Sequence, residues 1–329
     1  MKREETEIRR EKERNKEMER DFDFLLPHGR ILERQNRFLK FELRGTNETF
    51  VRVLKRIMIS EVPTIAIDLV FIDTNSSVLE DRFLTRRLTL VPLTSHRATS
   101  MYYPSECPNC NGKGYCHRCS VVFRLSAKCV TNQTLDVTSN DLVSSDPAVV
   151  PFDFGSGGTV IVKLGQGEEV KLKAIARKGI GEVKGKWSPV TSASYFRPAE
   201  VRINEELMET LTLEQKKDWV ASCPANMFQI DPRTQKVVVS DPEVYPYDEK
   251  VIWKAEAMGK PGLVEMCEKK DSFIFTVETT GALKASQVLM KAIQILKQNV
   301  ISMHLMDDKY IDGLFAGLVS DMQELVIID

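Results

Sequence analysis

Between Cys107 and Cys119 the sequence runs CPNCNGKGYCHRC, which places four of the chain's seven cysteines within thirteen residues as C-x2-C-x5-C-x2-C. No other string constrains the fold as strongly. Each C-x2-C pair can grip a zinc ion from a tight turn, and four thiolates complete a tetrahedron that leaves no position open to water or substrate. Gly112 and Gly114 lie in the spacer, where they permit the sharp reversal that brings the two pairs onto one ion. The spacer is shorter than the ~15 to 20 residues of the common zinc ribbon. The expectation is therefore a compact, closed, structural zinc loop with Cys107, Cys110, Cys116 and Cys119 as ligands. Two alternatives remain open: four free thiols on a loop, and His117, inside the second pair, in place of a neighbouring cysteine.

The remaining cysteines, Cys129, Cys223 and Cys267, are scattered singly, and an odd total is not a disulfide framework. No apolar run approaches the ~20 residues that span a bilayer. Residues 1–20 carry eight basic and seven acidic side chains, the opposite of a signal peptide. A reducing compartment and no membrane are expected. That charged segment has no face to bury and reads as a frayed, solvated helix or disorder, with an RNA-binding arm as the sharper alternative. Over the whole chain 46 lysines and arginines meet 47 aspartates and glutamates, so there is no global attraction to nucleic acid or an acidic membrane.

From Arg37 the pattern turns globular. Leu39, Phe41 and Leu43 alternate with charged residues as in a half-buried strand; Phe50, Val53, Leu54, Ile57 and Met58 recur at helical spacing until Pro63; Ile65, Ile67, Leu69 and Phe71 alternate again. Residues 79–88 predict a short helix, 121–125 a strand, and 159–176 a hairpin turned at Gly165 and Gly167. Glu205 to Trp219 predicts one helix, and the rest of 198–262 has no clear pattern. Residues 273–277 predict a strand and 283–304 a long helix, in which Leu289, Ile293, Leu296, Val300 and Met303 step by four and three, with Val288, Ala292 and Ile295 widening the stripe. A weaker stripe of Ile311, Leu314, Phe315, Leu318, Met322 and Leu325 follows, expected to pack on the body of the same chain or, alternatively, to bind a partner.

Signs of catalysis are sparse. Gly179-Ile180-Gly181 follows a strand, but no third glycine or P-loop lysine completes a phosphate cradle. Four dispersed histidines offer few general bases, and carboxylate pairs such as Glu80-Asp81 read as solvated helix surface. Residues 107–114 fit one C-x2-C-x-G-x-G repeat of the zinc domains of J-domain chaperones, which need four. A stand-alone zinc-dependent protein-binding or chaperone module is thus the alternative function.

Several collinear strings together resemble one family. They are FVRVLKRIMISEVPTIAIDLV (50–70), SVLEDRFLTRRLTLVPLTS (77–95), the cysteine loop, AKCVTNQTLDVTSNDL (127–142), VKLKAIARKGIG (170–181), DPEVYPYDEKVIWKAEAMGKPGLVE (241–265) and SFIFTVETTGALKASQVLMKAIQILKQ (272–298). The chain resembles the alpha-like third-largest subunit of eukaryotic DNA-directed RNA polymerase II, in its plant-type form. The resemblance implies an α+β fold: a sheet-plus-two-helix dimerisation module (29–67 and 188–306) interrupted by a mostly β insertion subdomain (68–187) that carries the zinc loop (107–119). A charged extension (1–28) and an amphipathic tail (307–329) flank it.

The same resemblance implies a non-catalytic assembly platform in the nucleus. It would pair with the smaller alpha-like (eleventh) subunit through Phe50, Leu54, Ile57, Leu289, Ile293, Leu296 and Val300. It would also dock the second-largest subunit and two small zinc-bearing subunits, meeting DNA only through the complex. Nucleotidyl transfer in this family occurs on the two largest subunits. Departures such as Val53-Leu54-Lys55-Arg56 and Lys184-Gly185-Lys186-Trp187 leave open which enzyme is served, RNA polymerase II or the plant RNA-silencing polymerases IV and V, whose role is RNA-directed DNA methylation.

Overall fold

A computed structural model describes residues 27–155, 157–223, 227–239, 249–302 and 315–321. In chain order its first half comprises β1 (His28–Arg34), β2 (Phe38–Arg44), α1 (Glu48–Ser60), β3 (Thr64–Asn75), α2 (Asp81–Thr89), β4 (Ser120–Lys128), β5 (Leu135–Thr138), β6 (Val143–Ser144), β7 (Val160–Leu164) and β8 (Glu169–Gly179). Its second half comprises β9 (Val190–Phe196), β10 (Ala199–Ile203), α3 (Glu205–Glu209), α4 (Leu213–Ala221), β11 (Phe228–Ile230), β12 (Val237–Val239), α5 (Lys250–Ala257), β13 (Val264–Glu268), β14 (Ser272–Thr279) and α6 (Ala285–Ser302). Residues 315–321 are also helical. The mixed α+β architecture expected from the sequence is what the chain adopts.

Two strands far apart in sequence build the first core. β2 and β14 lie at the centre of an antiparallel sheet ordered β1-β2-β14-β9, with Leu39 opposite Val277, Phe41 opposite Phe275 and Leu43 opposite Phe273. Period-two alternation sends these six side chains to one face, where all are buried. The rings of Phe41 and Phe275 stack with centroids 4.9 Å apart. α1 and α6 cover that face. The Asn47 side chain starts α1 by accepting the Phe50 amide at 2.9 Å, and the apolar spacing then turns Val51, Leu54, Ile57 and Met58 inward. From α6, Val288, Leu289, Ala292, Ile293 and Leu296 enter the same core. Each large side chain so buried contributes roughly 1.5–3 kcal/mol.

The second core belongs to the sheet β3-β8-β4-β6, the pair β5-β7 and helix α2. β3 is continuous through residue 68 and pairs along its length with β8. The hairpin expected over 159–176 does not form. The chain does reverse at Gly165 and Gly167, the latter at φ +82°, but β7 pairs with β5 while β8 runs between β3 and β4. The turn hands the chain from one sheet to another.

A third, smaller core organises the stretch that had no clear pattern. Trp219, Phe228, Met208, Leu211, Val251 and Leu263 cluster there, and the Trp219 indole donates to the Val251 carbonyl at 3.0 Å. The single helix expected from Glu205 to Trp219 is two helices, α3 and α4. Thr212 ends the run by capping α4: its hydroxyl accepts the Gln215 amide at 3.3 Å, and the Gln215 side chain returns to the Thr212 amide at 3.0 Å.

At the carboxyl side, Phe315 and Leu318 are buried against the first core, and Phe315 lies 6.3 Å from Phe50. For these residues packing on the chain's own body holds. Ile311, Leu314, Met322 and Leu325, like the charged segment 1–20, lie outside the described residues.

Candidate functional site

The loop that joins α2 to β4 brings the four clustered cysteines together. Their sulfurs all lie within 4.8 Å of one another, the one such group of potential metal-binding side chains among the described residues. Cys107 and Cys116 are 3.4 Å apart, Cys116 and Cys119 3.4 Å, and Cys110 and Cys119 3.7 Å. A tetrahedron with Zn–S bonds of ~2.3 Å has edges of ~3.8 Å, so the donor set fits a zinc ion. Three successive reversals make this possible: Asn111, Gly112 and Gly114 all have positive φ, at 49°, 75° and 71°. His117 is exposed and outside the group, and its carbonyl accepts from Arg97 at 3.0 Å.

The electrostatics of the bare thiols point the same way. Burial pushes the Cys119 thiol up to about 12, reinforced by its three sulfur neighbours. Burial also opposes ionisation of Cys116, but the Arg118 amide together with Cys107, Cys119 and Asn109 outweighs it and brings the value down to about 6. Four thiolates cannot share so small a volume unless a cation neutralises them. Bound there, zinc would cross-link the two turns and supply folding energy to the segment around them.

Rigid anchors hold this loop. Ser120, the first residue of β4, gives both its amide and its hydroxyl to the Cys116 carbonyl at 2.9 Å. Asp68 of β3 forms a hub nearby, receiving the Lys186 ammonium at 2.7 Å and the Arg177 guanidinium at 3.3 Å. Burial opposes ionisation of Asp68, yet the hydrogen bond and charge of Lys186, with Lys184 and Arg177, hold its carboxyl below the usual range. Gly179 and Gly181 make no phosphate cradle. A Cβ on Gly179 would meet the Trp187 ring at 2.4 Å, and one on Gly181 the Ile59 carbonyl at 2.5 Å, so both serve close packing.

The second candidate surface is the outer side of α1 and α6. In this chain Leu54, Ile57, Leu289, Ile293 and Leu296 lie inside the first core, whereas Phe50 and Val300 are half-buried. Val53, Ile59, Ile295 and Ile301 are likewise apolar and partly exposed at the edge of that core.

The chain matches the family described as RNA polymerase Rpb3/Rpb11 dimerisation domain over residues 40–300. It belongs to this family. The alpha-like chain is 53% identical over 309 residues to subunit 3B of DNA-directed RNA polymerases IV and V of Arabidopsis thaliana, which covers 91% of this chain and 97% of the relative. It is 54% identical over 292 residues to subunit 3 of polymerases II, IV and V of the same plant, covering 86% and 92%. Subunit rpb3 of DNA-directed RNA polymerase II of Dictyostelium discoideum is 42% identical over 283 residues, covering 83% and 92%. The resemblance read from the sequence strings is therefore borne out, and with it the assignment to a DNA-directed RNA polymerase subunit that acts in transcription. The match spans both sides of the cysteine loop, so a stand-alone zinc or chaperone module is not favoured.

Sequence reasoning passed over the supports of the alpha-like chain's loop. Asp68, Arg177 and Lys186 are separated by up to 118 residues and meet only because β3 and β8 pair with Ala66 opposite Arg177. The string holding Arg177 was visible as a match, whereas Lys186 lies in one that departs from the family, and no spacing rule points to their contact with Asp68.

Proposed function

We propose that the chain is a non-catalytic assembly subunit of a nuclear DNA-directed RNA polymerase, of the II, IV or V class, and that it works by pairing with the smaller alpha-like subunit. The observation that carries this reading is the pair of helices α1 and α6, which pack together over the first core. They bury one side on their own sheet and leave the apolar Phe50, Val53, Ile295 and Val300 partly exposed at its edge. An obligate subunit interface has this apolar character. Leu54, Ile57, Leu289, Ile293 and Leu296 support the face from beneath. Docking of the second-largest subunit and of two small zinc-bearing subunits extends the same platform role, and DNA is met only through the assembled enzyme.

Cys107, Cys110, Cys116 and Cys119 hold one structural zinc ion in this reading. Four thiolates fill its coordination shell, so the site gives shape to the inserted part of the chain and offers no place for substrate. Nucleotidyl transfer belongs to the two largest subunits.

Co-expression with a small alpha-like partner tests the proposal. The expected product is a soluble one-to-one complex containing one zinc per copy of this chain. A monomer that stays soluble and ignores the partner would contradict it.

A further inference from the structure

Two nitrogens of one largely buried side chain reach the back of the cysteine loop, and a third holds it to β3. Arg177, on β8 and 12% exposed, donates Nε to the Gly114 carbonyl at 2.9 Å, Nη2 to the Lys113 carbonyl at 3.3 Å and Nη1 to Asp68 at 3.3 Å. Its guanidinium also lies 4.9 Å from the centroid of the Tyr115 ring. The two carbonyls belong to consecutive peptide units whose amides point the other way. The amide of the Lys113–Gly114 unit donates to Cys110 Sγ at 3.3 Å, and that of the Gly114–Tyr115 unit hydrogen-bonds the same thiol. The guanidinium on the carbonyl side and the Cys110 sulfur on the amide side thus bracket the same two peptide units.

The geometry is specific to these residues. Gly114 sits at φ +71°, which lets successive amides converge on one acceptor as an anion-binding nest. A Cβ there would stand 2.9 Å from Arg177 Nη2, so a side chain at this position would displace the guanidinium. Asp68, itself held by Lys186 at 2.7 Å, fixes the plane of the fork. A planar guanidinium can donate to two carbonyls and a carboxylate at once, whereas an ammonium acts as a point charge.

We propose that Arg177 is a positioning residue for the metal loop, acting through the two peptide units at Gly114 to draw electron density from the Cys110 thiolate. A divalent ion bound by four thiolates is doubly negative, and hydrogen bonds that withdraw charge from sulfur make such a cluster tenable in a partly buried loop. The inference rests on the reading of the four cysteines as a metal site.

The test uses the full chain, in complex with its partner if that is required for solubility, as wild type, Arg177→Met and Arg177→Lys. Zinc content of the wild type is measured first, and absence of bound metal overturns the metal reading itself. With metal bound, two measurements follow: the rate of zinc transfer to a chelator, and the energy of the thiolate-to-metal charge-transfer band after cobalt(II) substitution. Loss of such an outer partner commonly weakens metal binding by about 10–100-fold. Arg177→Met is expected to release zinc faster by a factor in that range and to move the band to lower energy, with Arg177→Lys in between. The band is decisive because a residue that only packed the loop would not shift the sulfur levels. An unchanged band in both variants, with or without faster release, overturns the role of Arg177.

Discussion

Replacing Leu54 by alanine separates residues that hold this fold from residues that would hold a partner. Leu54 is fully buried in the core between the first sheet, α1 and α6. A buried leucine truncated to alanine loses its transfer energy and leaves a cavity, at a cost of about 2–5 kcal/mol. Each kcal/mol moves the midpoint of a domain of 150–250 residues by about 2–4 °C, so a loss near 3 kcal/mol lowers the transition of this core by roughly 6–12 °C. The assay is thermal unfolding of the isolated chain followed by circular dichroism. Phe50→Ala is the control: Phe50 is only half-buried, so its truncation should move the midpoint far less while weakening pairing more. A Leu54→Ala chain that melts like wild type but fails to bind its partner would refute the placement of Leu54 in the chain's own core.

Three further outcomes follow from the structure. Changing Cys107 and Cys119 together to serine should reduce bound zinc from about one per chain to none by metal analysis. It should loosen the core around β4 while leaving the α1–α6 core folded, because metal energy is local to its loop. Asp68→Asn should cost about 1–3 kcal/mol in denaturant at pH 7. Because the folded carboxyl titrates below its ordinary value of about 3.9, its contribution is complete above that pH and is lost as pH falls through the folded value. The gap between wild type and variant should therefore close under acid conditions, and a constant gap would contradict the hub. Gly281→Ala should cost at least about 1–3 kcal/mol, since Gly281 has φ +92° and a Cβ there would stand 2.3 Å from the Phe152 ring. An unchanged midpoint would show that the junction yields freely.

The parts of the fold legible in the sequence are those where a large apolar side chain recurs with a local period. Leu39, Phe41 and Leu43 in β2 and the stripe of α1 recur among polar neighbours, so their periods survive in the linear string, and in β14 Phe273, Phe275 and Val277 keep the period although Ile274 between them is apolar and buried as well. Pairing is not local, and there the string misleads. Gly165 and Gly167 announce a reversal but cannot say that β7 will join β5 across more than twenty residues. The third core is built from strands of three to five residues and a helix restarted by Thr212 and Gln215, too short for any period to accumulate. β1 has only Ile31 and Leu32 as aliphatic residues and is recruited by its neighbour β2.

The same division runs through the candidate sites. Four thiols at fixed spacing describe their cluster completely, because a loop of thirteen residues closes on itself. The pairing face does not, since a wide apolar stripe on α6 gives no sign that Leu289, Ile293 and Leu296 turn inward while Ile295 and Val300 stay partly open. Nor does a sequence period register Arg177 meeting Gly114, a contact set by the pairing of β8 with β4 that puts Arg177 opposite Ser120.

Assembly through the outer edge of α1 and α6 is the proposal on which the rest depends. Its most direct test is co-purification of the double variant Phe50→Glu, Val300→Glu with the smaller alpha-like subunit, read alongside circular dichroism and zinc content. The complex is expected to be lost while the fold and the zinc of the chain are retained. Recovery of the one-to-one complex by the double variant would contradict it.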